Sequence, residues 1–166
     1  MRAIIFDLDD TLIHSGIDFR KMKSETIKFL QNVGVPSGLL NDRMVNFEII
    51  RLSVENLRGK GFSKQEIQRV LASVNEIMNQ VELESFDKAG VIDGVLETLK
   101  ALKANGLKVG IMTRSCREYT EKVLAKFGLS NYVDAFAARD DVEKPKPNPE
   151  HAFYLLRLLG VSVDNA

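Results

Sequence analysis

The run Arg2 to Phe6 is short and, after its arginine, apolar, with β-branched Ile4 and Ile5, and it breaks off directly into Asp7-Leu8-Asp9-Asp10-Thr11. A buried central strand that delivers polar groups at its carboxyl end reads this way. Residues 107–112 repeat the pattern, opened by Asn105-Gly106 and closed by Thr113-Arg114-Ser115. Ahead of that run, Asp93 is placed to cap a helix with the apolar stripe Val95, Leu96, Leu99 and Leu102, and Gly106 lies just past its end. After it, Ser115 is placed to cap a helix that carries Tyr119, Val123, Leu124 and Phe127 on one face and stops at Gly128. Residues 133–138 read as a short third strand. A last helix starts near Pro149 and carries Phe153, Leu156 and Leu159 inward, toward Gly160. The alternation of strand and helix from residue 90 onward predicts a parallel sheet with covering helices.

The stretch 18–86 differs, because it has helical periodicity and no strand pattern. Phe47, Ile50, Val54 and Leu57 mark one amphipathic helix, ended by Gly59 and Gly61. Ser63, with Glu66 three residues on, forms a capping box for the next helix. Ile67, Val70, Leu71, Val74, Ile77, Met78 and Val81 then recur at helical spacing as a packing face. The expected organisation is an α/β core of residues 1–14 and 90–166 with an all-helical insert at 15–89.

Composition narrows the class of partner. The chain has 166 residues, 45% of them hydrophobic and 28% charged, ordinary values for a folded domain. Its 23 Lys and Arg balance 23 Asp and Glu, so no overall field draws it to nucleic acid or to an anionic membrane, and a bound anion must be met locally. Cys116 is the single cysteine, so no internal disulfide forms, and its spacing from His14 and His151 fits no zinc site. No apolar run is long enough for a membrane span, and Asp7 arrives before a signal-peptide core could form, so a cytoplasmic location is expected.

Asp7 and Asp9 are the candidate chemistry. Two carboxylates two residues apart share one face of an extended segment, and strand ends are where open α/β sheets bind ligands. One could attack a substrate while the other, held protonated, supplies a proton to the leaving group. A solvated acidic turn is the alternative reading of the same residues.

Asp7-Leu8-Asp9-Asp10-Thr11-Leu12 resembles the first motif, D-x-D-x-T/V, of the haloacid dehalogenase (HAD) superfamily of phosphatases. Ile111-Met112-Thr113-Arg114 is similar to its second motif, and Val142-Glu143-Lys144-Pro145-Lys146-Pro147 to its third, a lysine followed by proline. The helical insert after the first motif resembles the cap of the phosphoglycolate-phosphatase-like branch, with Asp93-Gly94-Val95 at the re-entry. The resemblance implies a Rossmann-like parallel-sheet core with an inserted helical cap. It implies Asp7 as nucleophile, forming a phosphoaspartyl intermediate, and Asp9 as acid and then base. Thr11 would support the loop, Thr113 and Arg114 would bind phosphate, and Lys144 would neutralise charge on Asp7 and the phosphate. Mg²⁺ would be held by Asp7 and the backbone carbonyl of Asp9. A cation is required on physical grounds: at about 4 Å and an effective dielectric of about 20 each unit-charge pair is worth roughly 4 kcal/mol, so a dianionic phosphate beside Asp7 is opposed by roughly 8.

The implied activity is Mg²⁺-dependent hydrolysis of a small phosphorylated metabolite, since a closing cap favours compact substrates. A HAD-type phosphomutase is the second enzymatic reading. The superfamily's fourth motif, an acidic pair such as Gly-Asp-x-x-x-Asp, does not occur by residue 166, and Asp164 reads as a turn residue. The expectation is a C-terminally incomplete core with weak or no activity. The alternative is a non-catalytic binding or assembly module, as a homodimer or swapped oligomer through an exposed sheet edge. His14, Cys116, Lys146, Asp10, Asp140 and Asp141 are read as solvated, packed or capping groups with no part in the chemistry.

Overall fold

The computed structural model describes residues 1–166, with elements in the order β1 (Ala3–Phe6), β2 (Ile13–His14), α1 (Phe19–Val33), α2 (Asn46–Gly59), α3 (Lys64–Glu84), β3 (Gly90–Val91), α4 (Val95–Ala104), β4 (Lys108–Met112), α5 (Arg117–Lys126), β5 (Ala135–Ala137) and α6 (Pro149–Leu159). β1, β4 and β5 form a parallel sheet in the order β1-β4-β5. The register sets Phe6 opposite Ile111 and Met112 opposite Ala137. Parallel pairing in this register brings Asp7, Thr113 and Ala138, each the first residue past its strand, to the same edge of the sheet. β1 lies at one edge of this sheet and β4 at its centre, so the run 2–6 forms the open sheet edge expected from the sequence, and Ile4, Ile5 and Phe6 are only partly buried.

α6 lies close on one face of the sheet because β4 carries a glycine beneath it. A Cβ at Gly110 would stand 2.8 Å from Leu159 Cδ1 and 3.2 Å from Leu155 Cδ2. Leu155 and Leu159 join Ala3 and Ala137 in the core on that side. Alternation along the strand sends Val109 and Ile111, both fully buried, to the opposite face.

By contact clustering the chain divides into two compact units, Met1–Gly16 with Glu82–Ala166, and Ile17–Val81. In the first, the chain leaves and returns side by side: β2 pairs antiparallel with β3, Ile13 opposite Val91 and His14 opposite Gly90. The second contains α1, α2 and most of α3. Asp18 caps α1 by accepting the Lys21 amide at 2.8 Å, and the box at the start of α3 closes as its sequence demands, Ser63 N–H donating to Glu66 Oε2 at 2.8 Å. None of the helices is long and apolar enough to cross a membrane.

Four local expectations need correction. α4 starts from Gly94 in the left-handed region (φ 81°), with no side-chain cap, so Asp93 does not cap it. The cap residue of α5 is Cys116 rather than Ser115, and the Arg117 amide is met from outside the helix by Asp140 Oδ1 at 2.8 Å. α2 buries Ile49, Ser53 and Leu57 and leaves Phe47 exposed, while α6 buries His151, Leu155, Leu156 and Leu159 and leaves Phe153 exposed. In both helices the buried stripe includes a polar residue with an internal partner; Ser53 Oγ, for instance, donates to the Ile49 carbonyl at 2.7 Å. A search for apolar residues alone therefore finds Leu57, Leu156 and Leu159 but passes over the polar members of the stripe and takes in the exposed Phe47 and Phe153.

Candidate active site

The chain turns sharply after β1. The Thr11, Leu12 and Ile13 amides all donate to the Leu8 carbonyl, and the Asp10 amide to that of Ile13 at 2.7 Å. Asp10 itself sits at φ 56°, a conformation that aspartate tolerates better than most residues. Leu8 is completely buried between the two carboxylates, and alternation turns Asp7 and Asp9 to the opposite side of the chain from it. The carbonyl of Asp9 takes no part in the turn's hydrogen bonds. Thr11 acts in the turn through its amide, and its side chain is exposed.

The two carboxylates have opposite surroundings. Asp7 is 47% exposed; its Oδ1 accepts the Leu8 amide at 2.8 Å and pairs with Lys146 Nζ at 2.6 Å. Asp9 is set deeper. Its Oδ2 accepts hydroxyl hydrogens from Thr113 at 2.9 Å and Ser115 at 2.7 Å, while Oδ1 is buried without any partner. Burial raises the Asp9 pKa, the two hydroxyls oppose that shift, and the negative charges of Asp7 and Glu82 add to it. One carboxyl is thus exposed and paired with a cation, and the other is biased toward keeping its proton. Such a split is one in which the first carboxyl could attack a substrate and the second could supply a proton.

The second loop is built for this contact. Thr113 is fully buried, anchored by its amide to the Ala137 carbonyl at 3.0 Å, and its Oγ1 accepts the Ser115 amide at 3.0 Å. Its hydroxyl hydrogen goes to Asp9. The following residues are tied down by a buried ion pair: Arg139 grips Glu82 with both terminal nitrogens and also donates to the Arg114 carbonyl, while Glu82 Oε2 accepts the Cys116 amide at 2.9 Å. Glu82 lies in the last turn of α3. The Cys116 thiol is buried and pushed up to about 12 by desolvation, so it stays protonated and unreactive at neutral pH. The Arg114 side chain is exposed; desolvation and Arg139 lower its pKa, against the opposing pull of Asp7.

Of the two lysines in the Lys-Pro-Lys-Pro run, the structure brings Lys146 to Asp7 and leaves Lys144 exposed. Lys146 Nζ also donates to the Met112 carbonyl at 2.8 Å, which fixes the ammonium at the end of β4. The reading of Lys146 as a solvent-facing neighbour is thereby corrected. Nothing in the local sequence separates the two lysines, because each precedes a proline. Ser115 lies past the end of β4 in a bend, where no sequence periodicity sets the direction of its side chain. His14 lies exposed in β2. Asp141 forms a bidentate pair with Arg117, Nε to Oδ1 at 2.7 Å and Nη2 to Oδ2 at 2.8 Å.

No group of three or more His, Cys, Asp or Glu side chains is arranged to hold a metal. The half-exposed Asp7 carboxylate and the uncommitted Asp9 carbonyl are two hard oxygens two residues apart in one turn, and Mg²⁺ suits such a partial set, completing its shell with water and substrate phosphate.

Comparison with known proteins places these residues in a wider setting. The family model for haloacid dehalogenase-like hydrolases matches residues 4–166. Pyrophosphatase PpaX of Halalkalibacterium halodurans is 44% identical over 68 residues, 41% of this chain and 32% of that protein. Phosphoglycolate phosphatase 1 of Pseudomonas aeruginosa is 23% identical over 171 residues, covering 99% of this chain. The chain spans 60% of the length of that relative. A solved hydrolase from Pseudomonas syringae has the same fold, with a TM-score of 0.61 at 21% identity over 99% of this chain and 73% of its own.

Proposed function

The chain belongs to the haloacid dehalogenase-like hydrolase family, and from that premise we propose that it hydrolyses a small phosphate monoester by way of a phosphoaspartate on Asp7. The observation that carries the reading is the pairing at one strand end of an exposed, lysine-bound carboxylate with a buried, proton-retaining one.

In the first step a carboxylate oxygen of Asp7 attacks phosphorus, the bond from phosphorus to the ester oxygen breaks, and the leaving alkoxide takes the proton of Asp9. In the second, Asp9 as a carboxylate accepts a proton from water, whose oxygen attacks the phosphorus. Asp7 leaves as carboxylate, inorganic phosphate departs, and Asp9 has regained its proton. Lys146 takes the role the motif assigned to Lys144: it offsets the repulsion between Asp7 and the incoming phosphate. Arg114 is free to meet the outer phosphoryl oxygens or a second anionic group of the substrate. Thr113 and Ser115 serve the phosphoryl group through Asp9, since both hydroxyls are engaged there. Mg²⁺, held by Asp7 and the Asp9 carbonyl, would supply the remaining positive charge at the transferring group. The helical unit Ile17–Val81 is proposed as the cap.

Release of inorganic phosphate from a panel of phosphate monoesters, with the anhydride pyrophosphate beside them, tests the reading. Turnover that needs Mg²⁺, stops with a chelator and is absent in Asp7→Asn supports it. Phosphate transferred to a second hydroxyl of the substrate, with none released, would make the enzyme a mutase. Turnover retained by Asp7→Asn overturns it.

A further inference from the structure

His151 is completely buried, lies one helical turn before Leu155 on the sheet-packing face already described, and has no part in the chemistry above. Its two ring nitrogens are both engaged. Nδ1 lies 3.0 Å from the Lys146 amide nitrogen, and Nε2 lies 3.1 Å from the Ala137 carbonyl oxygen. A backbone amide can only donate and a carbonyl can only accept, so the two contacts fix one state: neutral imidazole with its proton on Nε2. Imidazolium would lose the Lys146 contact, because Nδ1 would then carry a proton facing a donor. Burial favours the same state by lowering the His151 pKa. The charged groups that face the ring are Lys146, which lowers it too, and Asp141, which acts in the opposite direction.

We infer that His151 is the positioning residue for Lys146, an inference that rests on the reading of Lys146 as the lysine at the nucleophile. Lys146 lies in an irregular segment between the 3-10 turn Arg139–Asp141 and α6, where no strand or helix supplies its amide with an acceptor. His151 supplies it. The ring is set in turn by the stripe His151, Leu155, Leu159, whose two leucines pack over Gly110 and the sheet. The Ala137 carbonyl that receives Nε2–H also receives the Thr113 amide at 3.0 Å. One carbonyl at the end of β5 therefore anchors both the loop that holds Asp9 and, through His151, the lysine that pairs with Asp7. The sequence signal is a histidine five residues after the lysine that matters, on the buried face of the following helix.

The test uses the full chain. A through-hydrogen-bond nitrogen–nitrogen correlation between the Lys146 amide and His151 Nδ1, with the proton on Nε2, is expected at neutral pH; a missing correlation or a proton on Nδ1 overturns the inference. Two variants separate positioning from packing. Asn at 151 keeps an acceptor near the Nδ1 position but leaves a void, whereas Phe fills the ring volume and accepts nothing. His151→Asn should keep Lys146 amide protection and a kcat within about threefold. His151→Phe should lose that protection and about tenfold in kcat, more than it changes KM, the scale expected for one hydrogen bond. The reverse order, Phe tolerated and Asn impaired, would make His151 a packing residue and end the proposal. If the wild-type chain turns over no phosphate ester, the functional reading fails, while the correlation and amide protection still decide the role of His151.

Discussion

Lys146 Nζ lies 2.6 Å from Asp7 Oδ1, whereas Lys144, two residues earlier in the same Lys-Pro-Lys-Pro run, is exposed to solvent. The two lysines have the same chemistry and nearly the same neighbours in sequence, so they form a matched pair for mutation. Lys146→Met should lower kcat/KM for phosphate esters by about a hundredfold or more, the scale of removing one transition-state charge contact. Lys144→Met should stay within about twofold. Steady-state kinetics on the two variants checks this, and equal losses would remove the distinction.

The hydroxyls of Thr113 and Ser115 both stabilise the charged form of Asp9. Taking either away raises the Asp9 pKa further. Ser115→Ala and Thr113→Val should therefore move the alkaline limb of the kcat/KM profile to higher pH, with a fall of about tenfold in kcat as the carboxyl loses its fixed orientation. A pH–rate profile reads both effects. Thr113→Val carries the larger structural cost, because Thr113 is fully buried and its Oγ1 also accepts the Ser115 amide.

Asp9 also links activity to stability. Its folded pKa lies above the ordinary value of 3.8, so the folded state binds more protons than the unfolded state in the window between the two. The stability it contributes is fully present below 3.8 and is lost as pH rises through the folded value. Asp9→Asn removes that loss. The melting temperature of the variant minus that of the wild type should grow from about pH 4 to about pH 7, while turnover of alkyl phosphates disappears. Differential scanning calorimetry at several pH values measures the slope, and a flat difference would contradict the assignment of a raised pKa.

How much of this was legible in the chain depends on the kind of contact involved. The three core strands and their flanking helices follow from apolar periodicity, and the observed strands lie within the predicted runs, shorter by one to three residues. Asp7 and Asp9 stood out because two carboxylates directly after an apolar run are chemically conspicuous. What stayed hidden were polar residues whose partners come from distant parts of the chain. Ser115 looked like a helix cap until Asp9, 106 positions away, was seen to accept its hydroxyl. Lys146 and His151 acquire their roles through the ends of β4 and β5.

The Glu82–Arg139 pair is the buried polar link in the account, with side chains 2% and 9% exposed. It carries the Arg114 carbonyl and the Cys116 amide with it, so it braces the loop whose hydroxyls hold Asp9. Removing one partner strands the other in a low-dielectric site. Glu82→Gln or Arg139→Met should cost about 3–5 kcal/mol in denaturant unfolding, and a double replacement by apolar residues should cost less than the sum. Additive losses in that cycle would mean the two groups act independently.

The central claim is covalent catalysis at Asp7, and trapping the intermediate tests it most directly. The chain would be mixed with Mg²⁺ and a phosphate ester, quenched within one turnover and reduced with borohydride, which converts an aspartyl phosphate to homoserine. Peptide mass spectrometry then reads position 7. The account predicts homoserine at Asp7 in the wild type, more of it in Asp9→Asn when the ester has a leaving group that needs no proton, and none without substrate. Turnover with Asp7 unmodified, or the label on any other carboxylate, would contradict it.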